Sequence, residues 1–182
     1  MKTELNRQPE ELLVEFAQNG HLESFGALYQ RYYSSMVALA YSVLGNRDFA
    51  EDAAQEVFAV ACRDLICLKH RDRFGAWVAG ICRNITRQMI RQATKTAVSN
   101  LPPLVQSQDN PEHHLDMVCR AVWQLRPAER ELIVLRYYDG FSQAQISKVL
   151  DISPQAVNGR LIRAKRKIAK YLKRNGFTGE EL

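Results

Sequence analysis

The sequence predicts an all-α protein made of two small helical domains joined by a flexible linker, the C-terminal one a helix-turn-helix. Three observations carry this expectation. Apolar residues recur at helical spacing along nearly the whole chain, and no run shows the strict alternation of a strand. That period dissolves only over residues 93–110, "ATKTAVSNLPPLVQSQDN", where paired prolines, Ser, Gln and Asn read as an interdomain linker. The 9 glycines and 6 prolines are few for a fold rich in turns. The expected boundaries are 1–94 for the first domain, 95–110 for the linker and 111–182 for the second domain.

Residues 9–19 form a short amphipathic helix stopped by Gly20. Leu22, Phe25, Leu28, Tyr29, Tyr32, Met36, Leu39 and Val43 then repeat on one helical face as far as Gly45. Asp48, with Glu51 three residues on, reads as a capping box opening a helix that runs to about Leu65. A charged loop, "CLKHRDR", leads into a helix over 74–92 with a core face of Val78, Ile81, Ile85 and Met89. In the second domain, Pro111 restarts a helix to about Leu125, and "RPAERELIVLRYYDG" gives another, stopped by Asp139 and Gly140.

The last stretch, "FSQAQISKVLDISPQAVNGRLIRAKRK", holds two helical patterns side by side. Ile146, Val149 and Leu150 share one face; after a break at 151–153, so do Val157, Leu161 and Ala164. Ser153 followed by Pro154 marks the second start: a hydroxyl caps the free amides, and proline presets φ without wasting an N–H. Two helices so joined make a helix-turn-helix, which lays its second helix in the DNA major groove. Residues 155–175 carry eight cations and no acid, whereas a solvated surface helix normally mixes both signs.

Net charge is +5, and residues 96–182 hold most of it, with 13 Lys and Arg against 9 Asp and Glu. A second basic helix stands in the first domain. Arg83, Arg87, Arg91 and Lys95 recur every fourth residue, so they form one cationic stripe. Asn84 and Gln88 lie on the same half and can bond base edges or phosphates. Phe74 and Trp77 are either stacking platforms for unpaired bases or core, with core the expectation for Trp77. The acidic run "AEDAAQE" (Glu51, Asp52, Gln55, Glu56) is a surface, either solvated or a docking patch for a basic partner.

Other classes of function find little support. No apolar run approaches the roughly 18 residues of a membrane span, and "MKTELNRQPEELL" lacks a signal core, which points to a cytoplasmic protein without membrane insertion. Cys62, Cys67, Cys82 and Cys119 lack CxxC spacing and read as small buried thiols of a reducing compartment. His113, His114 and Cys119 match no common zinc spacing, so neither metal nor other cofactor is expected. There is no phosphate-cradling glycine loop, HExxH or GxSxG, hence no expected catalysis and no small-molecule substrate.

"AEDAAQEVF", "FGAWVAGICRNITRQMIR" and "LRPAERELIVLRYYDGFSQAQISKVLDISPQAVNGRLIRAKRKI" resemble, in order and spacing, the extracytoplasmic-function (ECF) sigma factors of bacterial RNA polymerase. The resemblance runs from about Leu22 to Leu172, interrupted only by the linker. It implies that the first domain docks on the β′ clamp helices of core polymerase and captures the −10 promoter element. It also implies that the second domain reads the −35 element and contacts the β flap, and that an anti-sigma factor is a further partner. Carried over by position, docking falls to Asp52, Gln55, Glu56 and Phe58. The −10 element falls to Asn84 and Gln88, supported by Arg83, Arg87 and Arg91, with Lys69, Arg71 and Arg73 in the loop that holds a flipped-out base. The −35 element falls to Gln155, Asn158, Gly159, Ile162 and Arg163, with Arg160 and Lys165 on phosphates. Asn158 and Gly159 stand where longer or basic residues are common in the family. The rival reading is a stand-alone helix-turn-helix regulator with a helical sensor domain. It accounts for the C-terminal half but not for the acidic patch or the second basic helix.

Overall fold

The computed structural model describes residues 8–96 and 113–177, which fall into two compact units. Within these residues there is no strand. The first unit contains α1 (Glu10–Gln18), α2 (Leu22–Leu44), α3 (Arg47–Asp64) and α4 (Phe74–Thr96). The second contains α5 (His113–Trp123), α6 (Pro127–Ile133), α7 (Gln143–Leu150) and α8 (Pro154–Arg174).

In the first unit α2 is the central helix, and α1, α3 and α4 all pack on it. Its buried residues Leu28, Met36 and Leu39 meet Leu13 and Val14 of α1, Val57 and Phe58 of α3, and Phe74 and Val78 of α4 in one apolar core. Gly45 ends α2 at φ 72°, a left-handed conformation that costs glycine little. The next residue already starts α3. Asn46 is extended, and its side chain accepts the Phe49 N–H at 2.9 Å. This corrects the expected cap at Asp48, which is itself helical and therefore too late to cap. Glu51 closes no box and instead pairs with Arg47 at 3.0 Å.

α4 runs to Thr96, past the expected end at Gln92, so the first linker residues are helical; 97–112 lie outside the described residues. Its core face also differs from the expected one. Val78, Ala79, Cys82, Ile85 and Thr86 are buried, while Ile81 and Met89 are only half-buried. Close approach to α2 explains the preference for small residues: the Cys82 thiol donates to the Met36 carbonyl at 3.7 Å.

In the second unit α5, α6 and α7 pack against α8. The segment expected as one helix divides into α6 and a π-helical turn, Val134–Tyr138, closed by the Asp139 N–H on the Val134 carbonyl at 3.0 Å. The wider turn shifts the phase, so that Leu132, Ile133 and Leu135 all face inward while Tyr137 and Tyr138 are exposed. α7 opens on a capping box in which Ser142 Oγ accepts the Gln145 N–H and Gln145 Oε1 accepts the Ser142 N–H. Asp151, at φ 53°, makes the left-handed turn between the two helices. Ser153 then caps α8 by accepting the Ala156 N–H at 3.1 Å. Ile146, Val149 and Leu150 pack with Val157, Leu161 and Ala164, as the helical period requires.

Candidate nucleic-acid interface

Burial of Val157, Leu161 and Ala164 fixes which side of α8 is presented to solvent. Gln155, Asn158, Ile162, Arg163 and Arg166 are exposed on the opposite side, with half-exposed Gly159 among them. One of these side chains is hydrogen-bonded and another lies close along the helix. Gln143, the first residue of α7, donates to Asn158 Oδ1 at 3.5 Å. The guanidinium of Arg163 lies back over Gly159, its Nη1 3.6 Å from where a Cβ on that glycine would sit. Helical side chains lean toward the N-terminus, which brings this arginine head to the front half of the helix. Arg166 joins this face although the family resemblance gives it no role; its position three and seven residues after Arg163 and Gly159 is the signal in the sequence.

The remaining cations of α8 are not equivalent. Arg160 is exposed, and the Lys165 ammonium stands 6.0 Å from the Tyr137 ring centre, beside the π turn. Lys167 is committed to the fold: its ammonium bonds both oxygens of Glu129, at 2.6 and 2.9 Å. Burial pushes the Glu129 carboxyl up, but the hydrogen bonds from Lys167 and the Arg126 N–H outweigh it and hold the group below its ordinary range.

In the first unit Asn84, Arg87, Gln88 and Arg91 are exposed on α4, and Arg83 is half-buried with its Nε inside. The side chain of Lys95 lies outside the described residues. Phe74 is fully buried and touches Tyr32 at 5.5 Å between ring centres, so it belongs to the core and cannot stack on a base. Trp77 is half-buried against Phe74.

Before α4 the chain makes two short 3₁₀ turns, Leu65–Cys67 and Arg71–Arg73. Lys69, His70 and Arg73 are exposed there, Arg73 lying 3.8 Å from Asp72. Arg71 is exposed but tied to α1: its Nη1 pairs with Glu15 and its Nε donates to Gln18 Oε1, each at 3.0 Å. The loop and α1 border an open cleft lined by Leu12, Ile66, Lys69 and His70.

On α3, Asp52, Gln55 and Glu56 are exposed along one face. Phe58 is not with them. It is 3 % exposed, with Tyr29 at 4.7 Å and Tyr33 at 6.3 Å between ring centres, so it anchors the helix from within and offers a partner no surface. The apolar contribution to this face is Phe49, half-exposed and in helical phase with Asp52 and Glu56. Its departure from the buried phase of Ala50, Ala53, Ala54 and Val57 was the signal in the sequence.

Three of the four cysteines correct the expectation of buried thiols. Only Cys82 is buried; Cys62, Cys67 and Cys119 are exposed, off the inward phase of their segments. Among the described residues no group of histidine, cysteine and carboxylate side chains could hold a metal ion, and the side chains of His113 and His114 lie outside them. No described helix is long and apolar enough to cross a membrane.

Residues 28–96 match the Sigma-70 region 2 family and residues 116–168 the Sigma-70, region 4 family. The chain is 28% identical over 170 residues to the ECF RNA polymerase sigma factor BldN of Streptomyces coelicolor, covering 88% of this chain and 64% of that protein. It is 24% identical over 177 residues to the ECF RNA polymerase sigma factor SigW of Bacillus subtilis, covering 88% of this chain and 95% of that one. Among solved structures it is similar to CnrH in complex with the cytosolic domain of CnrY, at 27% identity and a TM-score of 0.70 over 93% of this chain and 100% of the other.

Proposed function

The chain belongs to the ECF sigma factors of RNA polymerase, and from that premise we propose that it binds core polymerase and directs initiation at particular promoters. The observation that supports this best is the division of exposed chemistry between the two units. Each unit presents one cationic helix with amide side chains on its outer face, and the first adds an acidic patch on a different helix. Phosphate contacts position a protein on DNA and base-edge contacts specify the sequence; both kinds of donor are present on each helix.

In this reading Asp52, Gln55 and Glu56, with Phe49, dock on the β′ clamp helices, and Phe58 supports that surface from behind. Asn84 and Gln88 read the −10 element while Arg83, Arg87 and Arg91 hold its backbone, with Lys69 and Arg73 from the loop. Gln155, Asn158, Ile162 and Arg163 read the −35 element, Gly159 lets the helix approach closely, and Arg160 and Lys165 take phosphates. The second unit also meets the β flap. The protein catalyses nothing itself and works in the cytoplasm, where the polymerase is. A protein that sequesters it, an anti-sigma factor, is the further partner; CnrH was solved in complex with the cytosolic domain of CnrY.

The test is transcription with purified core polymerase on DNA selected by the reconstituted complex from a random-sequence pool. Transcripts that depend on adding the protein are the expected result. Binding of paired half-sites by the protein alone, one helical turn apart and without transcripts, would instead identify a stand-alone regulator.

A further inference from the structure

We propose that Glu10 and Gln18, at the two ends of α1, are positioning residues for −10 recognition, an inference that rests on the promoter-reading function above. α1 itself offers no basic residue, yet it fastens both ends of the loop that precedes the reading helix. At one end, Glu10 Oε1 accepts the N–H of Phe74, the first residue of α4, at 3.0 Å. The other Glu10 oxygen accepts the hydroxyl of Tyr32. One carboxylate therefore joins α1, α2 and α4, and it sits where the free amides and dipole of α4 favour an anion.

Gly75 shows how closely these parts meet. A Cβ placed there would lie 2.8 Å from Tyr32 Cε1, nearer than any side chain tolerates without displacing that ring. At the other end, Gln18 donates its amide to the carbonyls of Leu65 and Leu68, at 3.0 and 2.9 Å. Its own carbonyl accepts from Arg71, whose second bond goes to Glu15. Backbone bonds inside residues 65–73 are confined to the two short turns, so the path of this segment depends on α1. Arg71 thereby acts as part of the strap, while Lys69, His70 and Arg73 remain outward for DNA.

The experiment uses the full chain reconstituted with core polymerase and three sets of promoter DNA: intact, altered at −10, and altered at −35. The variants are Glu10→Ala, Glu10→Gln, Gln18→Ala and Gly75→Ala. Glu10→Ala and Gln18→Ala should lower discrimination at −10 roughly tenfold, the consequence of losing charge-assisted or paired hydrogen bonds. Discrimination at −35 and affinity for core should stay at wild-type values. Glu10→Gln keeps an acceptor for the Phe74 N–H and should recover part of the loss. Gly75→Ala should reproduce it without touching either hydrogen-bonding residue. An equal decline on all three DNA sets would reduce α1 to a stabilising element and overturn the proposal; so would unchanged −10 discrimination in Gln18→Ala. Absence of promoter preference in the wild-type complex would fail the functional reading itself.

Discussion

Gly159→Ala should make the protein more stable and a poorer reader of DNA. Glycine inside an exposed helix costs about 0.5–1 kcal/mol relative to alanine. The nearest atom to an added Cβ is Arg163 Nη1 at 3.6 Å, an ordinary van der Waals contact, so no clash offsets the gain. For a unit of this size 1 kcal/mol moves the melting temperature by about 4–8 °C, so a rise of about 2–8 °C is expected. The added methyl stands on the outer face of α8, in contact with the guanidinium of Arg163, and its bulk holds the helix off the bases. Loss of one bidentate base contact, about 1–3 kcal/mol, weakens −35 binding by about 5- to 150-fold. Unfolding of the second unit can be followed through Trp123 in a Trp77→Phe background, since the chain has 2 tryptophans and Trp123 lies under Arg130 in that unit. Binding is read by fluorescence anisotropy of a labelled promoter with the reconstituted complex. Greater stability with undiminished affinity would refute the placement of Gly159 at the DNA.

Charge reversal of Asp52 and Glu56 together should abolish capture of core polymerase while leaving the circular dichroism melt unchanged, because both side chains are exposed. Arg163→Ala should relax preference at a single −35 position, whereas Lys170→Ala should weaken all sequences evenly and flatten the salt slope by about one unit. The Glu129–Lys167 pair predicts an acid dependence of stability. Its carboxyl is held low when folded, so the contribution is present above the unfolded value of about 4.3 and is lost as pH falls through the folded one. Lys167→Met should remove the lysine's share of that dependence from the urea-unfolding pH profile, by at most about 1 kcal/mol because the lysine is half-exposed, while the Arg126 N–H keeps its own share.

What could be read from the sequence was whatever depends on neighbours along the chain. The period of Val157, Leu161 and Ala164, the Ser153–Pro154 start and the Gly45 stop are local signals, and the structure has each of them. Phe58 shows the limit of motif matching: it follows Glu56 by two residues, which on a helix turns it to the opposite side, into Tyr29 and Tyr33. The Asn46 cap was obscured because two capping residues, Asn46 and Asp48, compete within three positions, and only backbone geometry decides between them. By position along the chain alone, Arg71 belongs with the DNA-facing loop. Its partners Glu15 and Gln18 come from a helix more than fifty residues earlier, and no local pattern announces such a pairing. Arg166 and Phe49 are legible in the sequence, each marked by its phase on an exposed helical face.

The one-signed charge of α8 has a consequence for how long the protein lasts. Arg166 and Lys170, and Lys170 and Arg174, stand one turn apart with like charge, and each such pair costs an isolated helix a few tenths of a kcal/mol. Phosphates remove that repulsion. A duplex present at a hundred times its dissociation constant adds about 2.7 kcal/mol to the stability of whatever folded form it binds. With α8 in the proposed −35 role, the promoter serves as a folding ligand for its own reader. On that reading, molecules idle between rounds of initiation should open at the last helix more often than DNA-bound ones, and limited proteolysis with and without promoter DNA reads the difference.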